Sequence, residues 1–287
     1  MVYTETTVRE KMENRYYKNP IECKKKAVNL IKQFVEQKLN KELLNLKNYT
    51  FWNIDGNPIF GNGTKYSDAD CTKIVYAIDY ILYYDALKDE NGDFFIPGYP
   101  YKSVSNFKGE TIFTFKTLFG TQRNMEDKTK DFHDCYQKLG ATSLLPCKTI
   151  KIENKSESIN TWKGNYKNKY KDYIYPFLLE LKEYLENKKC SNQEMEKLFE
   201  ENQFYFINKT YEQYLKDFKL SDYDFSFEKN NYFYHWDKKM DTEKYKSFCK
   251  IYIDHAIEII NSRTNKMVDE LIELLQKEKE FPKEYLK

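Results

Sequence analysis

The stretch 241–277, DTEKYKSFCKIYIDHAIEIINSRTNKMVDELIELLQK, decides the fold. Tyr245, Phe248, Tyr252, Ile253, Ala256, Ile260, Met267, Leu271 and Leu274 recur mostly three, four or seven residues apart, which puts them on one face of a helix. Asp241 is placed to cap its first turn. The spacing predicts the longest helix of the chain, running to about Lys277. Upstream of it the helical period continues. Ile174, Phe177, Leu178, Leu181 and Leu185 mark a helix over 173–188, and 193–206 and 211–218 read as shorter helices. Asp222 to Phe227 alternates polar and aromatic residues, which fits a strand or an extended aromatic loop.

Toward the N-terminus, Asn19-Pro20 is a helix start, with Asn as cap and Pro in the first turn. Ala27, Leu30, Ile31, Phe34, Val35, Leu39, Leu43 and Leu46 carry that helix to about Leu46. Asp55-Gly56-Asn57-Pro58 and Gly61-Asn62-Gly63 are turn signals, so 49–63 reads as a hairpin or irregular loop. Ser67, with Asp70 three residues on, is read as the cap of a second helix. Its interior, Ile74 to Leu82, is apolar almost all round and fits a central core position. Thr111 to Gly120 is ambiguous between strand and helix, and a helix is favoured. A short helix is expected over 127–138, and short strands over 141–146 and 149–153. The predicted class is α+β, predominantly α-helical, with a small sheet or hairpins in the middle third and a long C-terminal helix. One domain, 1–287, is expected, divisible into an α+β part, 1–164, and a helical lobe, 165–287.

Composition narrows the function classes. The chain has 287 residues, 47 Lys+Arg against 45 Asp+Glu, a net charge of +2, and 17% aromatic residues. That near-neutral balance is unlike a general nucleic-acid binder. The bias toward Lys, Asn, Tyr, Phe and Ile is what an AT-rich genome writes at permissive positions, so each lysine or tyrosine carries little weight alone. Cys23, Cys71, Cys135, Cys147, Cys190 and Cys249 form no Cys-x-x-Cys pair and read as reduced thiols. Met1 to Lys18 lacks the apolar core of a signal peptide, and no apolar run is long enough to span a membrane. A cytoplasmic protein with no membrane partner is expected. Nothing implies haem, flavin, nicotinamide or structural zinc, so the expected cofactors and metals are none.

Four short motifs occur in order: Tyr49-Thr50-Phe51-Trp52-Asn53-Ile54-Asp55-Gly56-Asn57-Pro58; Phe107-Lys108-Gly109-Glu110-Thr111-Ile112-Phe113-Thr114-Phe115; Leu144-Leu145-Pro146; and Ile159-Asn160-Thr161-Trp162-Lys163-Gly164 before a Tyr-rich helix. Together they resemble an uncharacterised family of cytosolic proteins from low-GC bacteria, in which arginine is expected where this chain has Lys163. The resemblance implies a source and a compartment, and no catalytic role.

The densest candidate chemistry is the segment 148–171. Lysines satisfy phosphates as point charges, aromatic faces stack bases, and Gly164 permits close backbone approach. Trp162, Lys163, Tyr166, Lys167, Lys169 and Lys171 are therefore candidate ligand-binding residues. Glu153-Asn154-Lys155 has the carboxylate-x-lysine form of Mg²⁺-dependent nucleases, with Asp134 (or Asp131) as a possible second carboxylate. His133-Asp134-Cys135 brings a base, a carboxylate and a thiol together, but adjacent helical residues point about 100° apart and form no triad. Tyr232-Phe233-Tyr234-His235-Trp236 is either a buried plug or, through Tyr234 and Trp236, a partner-binding hot spot. Two functions follow as expectations. The favoured one is a non-enzymatic interaction or accessory protein of bacterial or phage origin, in a setting such as host–phage conflict, that binds a protein partner. The alternative is a nucleotide- or nucleic-acid-binding protein, or a Mg²⁺-dependent nuclease, using the 148–171 segment.

Overall fold

The computed structural model describes residues 20–54, 57–61, 69–86, 107–112, 131–132, 134–152, 155–159, 174–206, 208–221 and 242–287. Pro20, whose fixed φ suits a first helical turn, opens α1 (Pro20–Lys38). Ala27, Ile31, Phe34, Val35 and Leu39 form its buried side. The helix stops well short of Leu46. Asn40 and Lys41 take φ of 54° and 63°, and the Lys41 N–H turns back to the Val35 carbonyl at 3.0 Å, closing the helix with left-handed residues. A 3₁₀ turn, Leu43–Asn48, then buries Leu43 and Leu46. Its tighter winding keeps those leucines facing the core, which is why the apolar spacing runs on past the helix end.

The next helix, α2 (Lys73–Leu82), is capped by Thr72, whose Oγ1 accepts from the Val75 N–H. This corrects the expected Ser67 cap. Asp70 stands before the helix, in a 3₁₀ turn at Ala69–Cys71, and its Oδ2 accepts the Thr111 N–H at 2.8 Å. Between α1 and α2, residues 51–54 form a 3₁₀ turn, and Asn57 Oδ1 accepts the N–H groups of Ile59 and Phe60 at 2.8 and 3.1 Å. The irregular reading of 49–63 is the one adopted among the described residues.

Among the described residues, two antiparallel pairs make up the β structure. β1 (Phe107–Thr111) pairs with β2 (Thr142–Pro146), from Phe107 opposite Pro146 to Thr111 opposite Thr142. β3 (Lys148–Ile152) pairs with β4 (Lys155–Ile159), from Lys148 opposite Ile159 to Ile152 opposite Lys155. Thr111 thus lies in a strand, where the sequence favours a helix from that residue. The β-branched pair Thr111 and Thr142 suits the pleat. β4 is also new, having read as part of a basic loop.

Four longer helices follow among the described residues: α3 (Ile174–Asn187), α4 (Gln193–Glu201), α5 (Tyr211–Asp217) and α6 (Thr242–Gln276). Asn192 caps α4 through two N–H groups, and Thr210 with Gln213 forms a capping box on α5. The helix expected over 193–206 breaks at Asn202, whose amide donates to the Leu198 carbonyl at 2.8 Å in competition with the helical ladder. A separate helical turn, Gln203–Phe206, follows.

One hydrophobic core runs through both halves of the chain, from Ala27 to Tyr285. α6 lies at its centre, packed on α2, on the Leu43–Asn48 turn and on a 3₁₀ turn at Leu139–Ala141. Ile253, Ala256, Ile260, Met267 and Leu271 are buried as the seam predicts, joined by Val268 and Leu275. Many tyrosines and phenylalanines are core residues: Phe34 contacts the rings of Tyr49, Phe51 and Phe60, while Tyr205, Tyr214 and Phe218 form a second aromatic cluster with Phe107. Gly140 sets how closely the sheet approaches α6. Its N–H donates to Thr264 Oγ1 at 3.0 Å, and a Cβ there would meet backbone of α6 at Ile260 O and, at 2.5 Å, Thr264 N. Gly140→Ala is expected to lower unfolding stability by about 3 kcal/mol or more in urea denaturation; a loss no larger than that of a typical surface substitution would show that the contact has room to relax.

Candidate functional site

Arg263 and Thr264 face the interior of α6 and are fully buried. A guanidinium carries five donors in a planar fork, and this one uses them on main-chain carbonyls. Nε donates to Lys219 O at 2.7 Å, Nη1 donates to Gly140 O, and Nη2 donates to Thr142 O at 3.1 Å and to Phe218 O at 3.3 Å. Of the buried pair near the sheet, Gly140 belongs to the turn leading into β2 and Thr142 is the first residue of that strand. The other two lie at the C-terminal end of α5, where helix carbonyls lack internal partners and carry partial negative charge. Lys219 completes that end in a left-handed conformation, φ 56°. Its ammonium pairs with Glu270 of α6 at 2.9 Å and lies 5.2 Å from the centre of the Tyr83 ring.

Facing this tie from α2 is Asp79, 1% exposed. Neither carboxyl oxygen has a hydrogen-bond partner. It stands against β1 at Gly109, where a Cβ would lie 3.7 Å from Asp79 Oδ2 and 3.4 Å from the Asp70 carbonyl. Burial pushes its pKa up to about 8; the Arg263 charge works against that rise and Asp70 adds to it. Asp79 is consequently a largely protonated carboxylic acid at neutral pH, able to donate as well as accept.

One helical turn on, Tyr83 is fully buried with its hydroxyl unpartnered, and so is Ser143 on β2. Burial, then the Asp79 charge, hold the Tyr83 phenol well above its usual range, while Arg263 and Ser143 temper the rise. The two hydroxyls are thus neighbours without completing a hydrogen bond of normal geometry. The Tyr83 ring stacks on Phe218 at 5.6 Å, and Tyr214 beyond it is another buried phenol without a partner, raised by burial and then by Tyr83. Four elements, α2, β2, α5 and α6, therefore bring an acid, two phenols, an alcohol and a fixed positive charge into one dry region.

Of the residues singled out by sequence, Asp134 is exposed on a helical turn and Lys155 opens β4 opposite Ile152. Glu153, Trp162, Lys163, Tyr166, Lys167, Lys169, Lys171, Tyr234 and Trp236 lie outside the described residues. Among the described residues no group of three His, Cys, Asp or Glu side chains could hold a metal ion, and no helix is long and apolar enough to cross a membrane. Cys23, Cys135, Cys147 and Cys190 form no disulfide. Sequence reading passed over Asp79 and Arg263, yet both carry a signal. Arg263 falls between Ile260 and Met267 at the spacing of the apolar seam, and Asp79 interrupts the apolar run of α2. A charge on an otherwise apolar face marks either a polar core or a site. Compared with protein-family models, curated proteins and solved structures, the chain finds no match.

Arg263→Met keeps most of the volume but strips four carbonyls, three of them buried, of this donor, and is expected to cost about 3–5 kcal/mol in urea unfolding. A loss below about 1 kcal/mol would show that the carbonyls find other partners. Asp79 also sets a pH dependence. Its folded pKa, about 8, exceeds the ordinary 3.8, so the folded chain binds the extra proton. The associated stability is full below about pH 4, falls as pH rises and is gone above about 8, at up to roughly 1.4 kcal/mol per pH unit. Asp79→Asn should flatten that slope in chemical denaturation across this range; parallel wild-type and variant curves would contradict it.

Proposed function

We propose that the protein is an accessory protein of a bacterium or phage that acts by binding a protein partner, with the outer edge of β3 as its contact. The observation that carries this reading is the β3–β4 hairpin. Among the described residues β3 pairs with β4 alone, while β4 also lies against β1. An edge strand presents unpaired N–H and C=O groups, a template for a partner strand.

The register identifies the groups that would bind. Ile152 and Lys155 are opposite each other across a two-residue connection, so they form the closing hydrogen-bonded pair of the hairpin. Pairs then alternate, which places Lys151 opposite Ser156 and Thr149 opposite Ser158 at non-hydrogen-bonded positions. At these positions the main-chain groups of β3 point away from β4. Thr149 and Lys151 thus supply the outward donors.

A second reading has its own support. The hairpin carries Lys148, Lys151 and Lys155 and leads into the lysine- and aromatic-rich segment that ends at α3. That favours a phosphate-bearing ligand, a nucleotide or nucleic acid, with Lys163, Lys167, Lys169 and Lys171 on phosphate and Trp162 or Tyr166 stacking.

The test is co-purification of the tagged full-length chain from its own cells, across a salt series. The first reading expects one stoichiometric protein that stays bound at high salt and is lost when Thr149→Pro and Lys151→Pro remove the outward donors while sparing the β3–β4 ladder. Recovery of nucleic acid alone, released steeply with salt and by Lys167→Glu with Lys169→Glu, would establish the second reading and reject the first.

A further inference from the structure

Buried hydroxyl-type groups are satisfied in nearly every folded protein, because leaving one unmade costs about 1–3 kcal/mol. Here Asp79 Oδ1 and Oδ2, Tyr83 Oη and Ser143 Oγ all lack partners within one closed region, at 1% exposure or less. They come from two elements. Asp79 and Tyr83 are four residues apart on α2 and so lie on one face, and Ser143 reaches the Tyr83 hydroxyl from β2. The Arg263 guanidinium stands close by, its donors directed at backbone carbonyls, so it adds positive potential to the region while those hydrogen bonds hold it in place.

Each member of the set has a donor to offer. Asp79 held as a neutral acid offers an O–H, and so do the tyrosine and the serine. A protonated carboxyl beside a tyrosine hydroxyl in an apolar surround is an established way to hold a carbonyl or developing oxyanion. A cationic ligand would meet Arg263 at close range. A ligand with a single oxygen acceptor, neutral or negative, is instead matched by every group present. We propose that Asp79, Tyr83 and Ser143 form a buried binding site for a carbonyl or carboxylate oxygen, recognised by their O–H donors in the positive field of Arg263. This site is separate from the β3 edge and does not depend on the reading of that edge.

Its occupant is small, since the donors are sealed from solvent. Loss of the Asp79 proton would replace a donor with a negative charge facing the bound oxygen. Among the described residues, the charges acting on the site are Asp70 from the turn before α2, and Arg263, with Glu270 and Lys219 next to Tyr83. As pH rises through about 8, binding therefore falls.

Fluorine NMR of trifluoroacetate titrated into the full-length chain tests this. The wild type should show saturable broadening or shift at pH 6 to 7 that fades above pH 8, roughly the folded pKa of the acid. Tyr83→Phe with Ser143→Ala deletes two hydroxyls at little cost in volume and should weaken binding about tenfold or more. Asp79→Asn keeps an N–H donor without the titration, so its binding should persist when the pH is raised. No saturable effect in the wild type, or equal binding and pH response in all three proteins, would overturn the proposal.

Discussion

A single guanidinium joins three parts of this chain that are far apart in sequence. Arg263 on α6 gathers Gly140 from the turn leading into β2, Thr142 from the first position of that strand, and Phe218 and Lys219 from the end of α5. Gly140, Thr142 and Phe218 are buried residues, so their carbonyls need a donor from within the fold. The neighbouring contacts depend on the same placement. Gly140 can lie against the α6 backbone only because it has no side chain, and Thr264 then bridges the two by accepting from Gly140 N and donating to Ile260 O at 2.7 Å. Lysine could not substitute, since one ammonium cannot span four carbonyls in a plane. In a chain whose basic residues are almost all lysine, an arginine at this position is chemically specific.

The same tie explains why Asp79 can remain uncharged. A buried positive charge normally draws a carboxylate into an ion pair. Here the guanidinium is already solvated by carbonyl dipoles, so burial dominates the balance at Asp79 and Arg263 only moderates it. The acid, Tyr83 and Ser143 are left with donors and acceptors that the fold itself does not use. Structural and chemical roles thus divide between neighbouring residues, with Arg263 holding the elements and Asp79 lying free of that network.

Much of the fold was legible in the sequence because it rests on periodicity. The seam of α6, the stripe of α3 and the apolar run of α2 all follow from apolar spacing, and β2 and β3 from short runs rich in Leu, Ile and Thr. What failed were boundaries set by hydrogen bonds that spacing does not encode. The left-handed Asn40 and Lys41 ended α1, Thr72 took the cap expected of Ser67, and Asn202 diverted its amide to Leu198. β4 was hidden because Lys155 to Ile159 holds lysine, serine and glutamate and gains its strand character from pairing with β3. The polar core was hidden for a related reason. Asp79 and Arg263 each look like an isolated defect in an apolar face, and only the fold brings them together.

The most direct test of the tie is nitrogen-15 NMR of the arginine side chains. The chain has only Arg9, Arg15, Arg123 and Arg263, so four Nε–H signals are expected and Arg263→Lys identifies the fourth. A guanidinium fixed on four carbonyls predicts that the Arg263 Nε–H exchanges with solvent as slowly as the best protected backbone amides. Rapid exchange at Arg263, like that of a surface arginine, would contradict the account, because the elements it joins would then have to be held by packing and their remaining polar contacts.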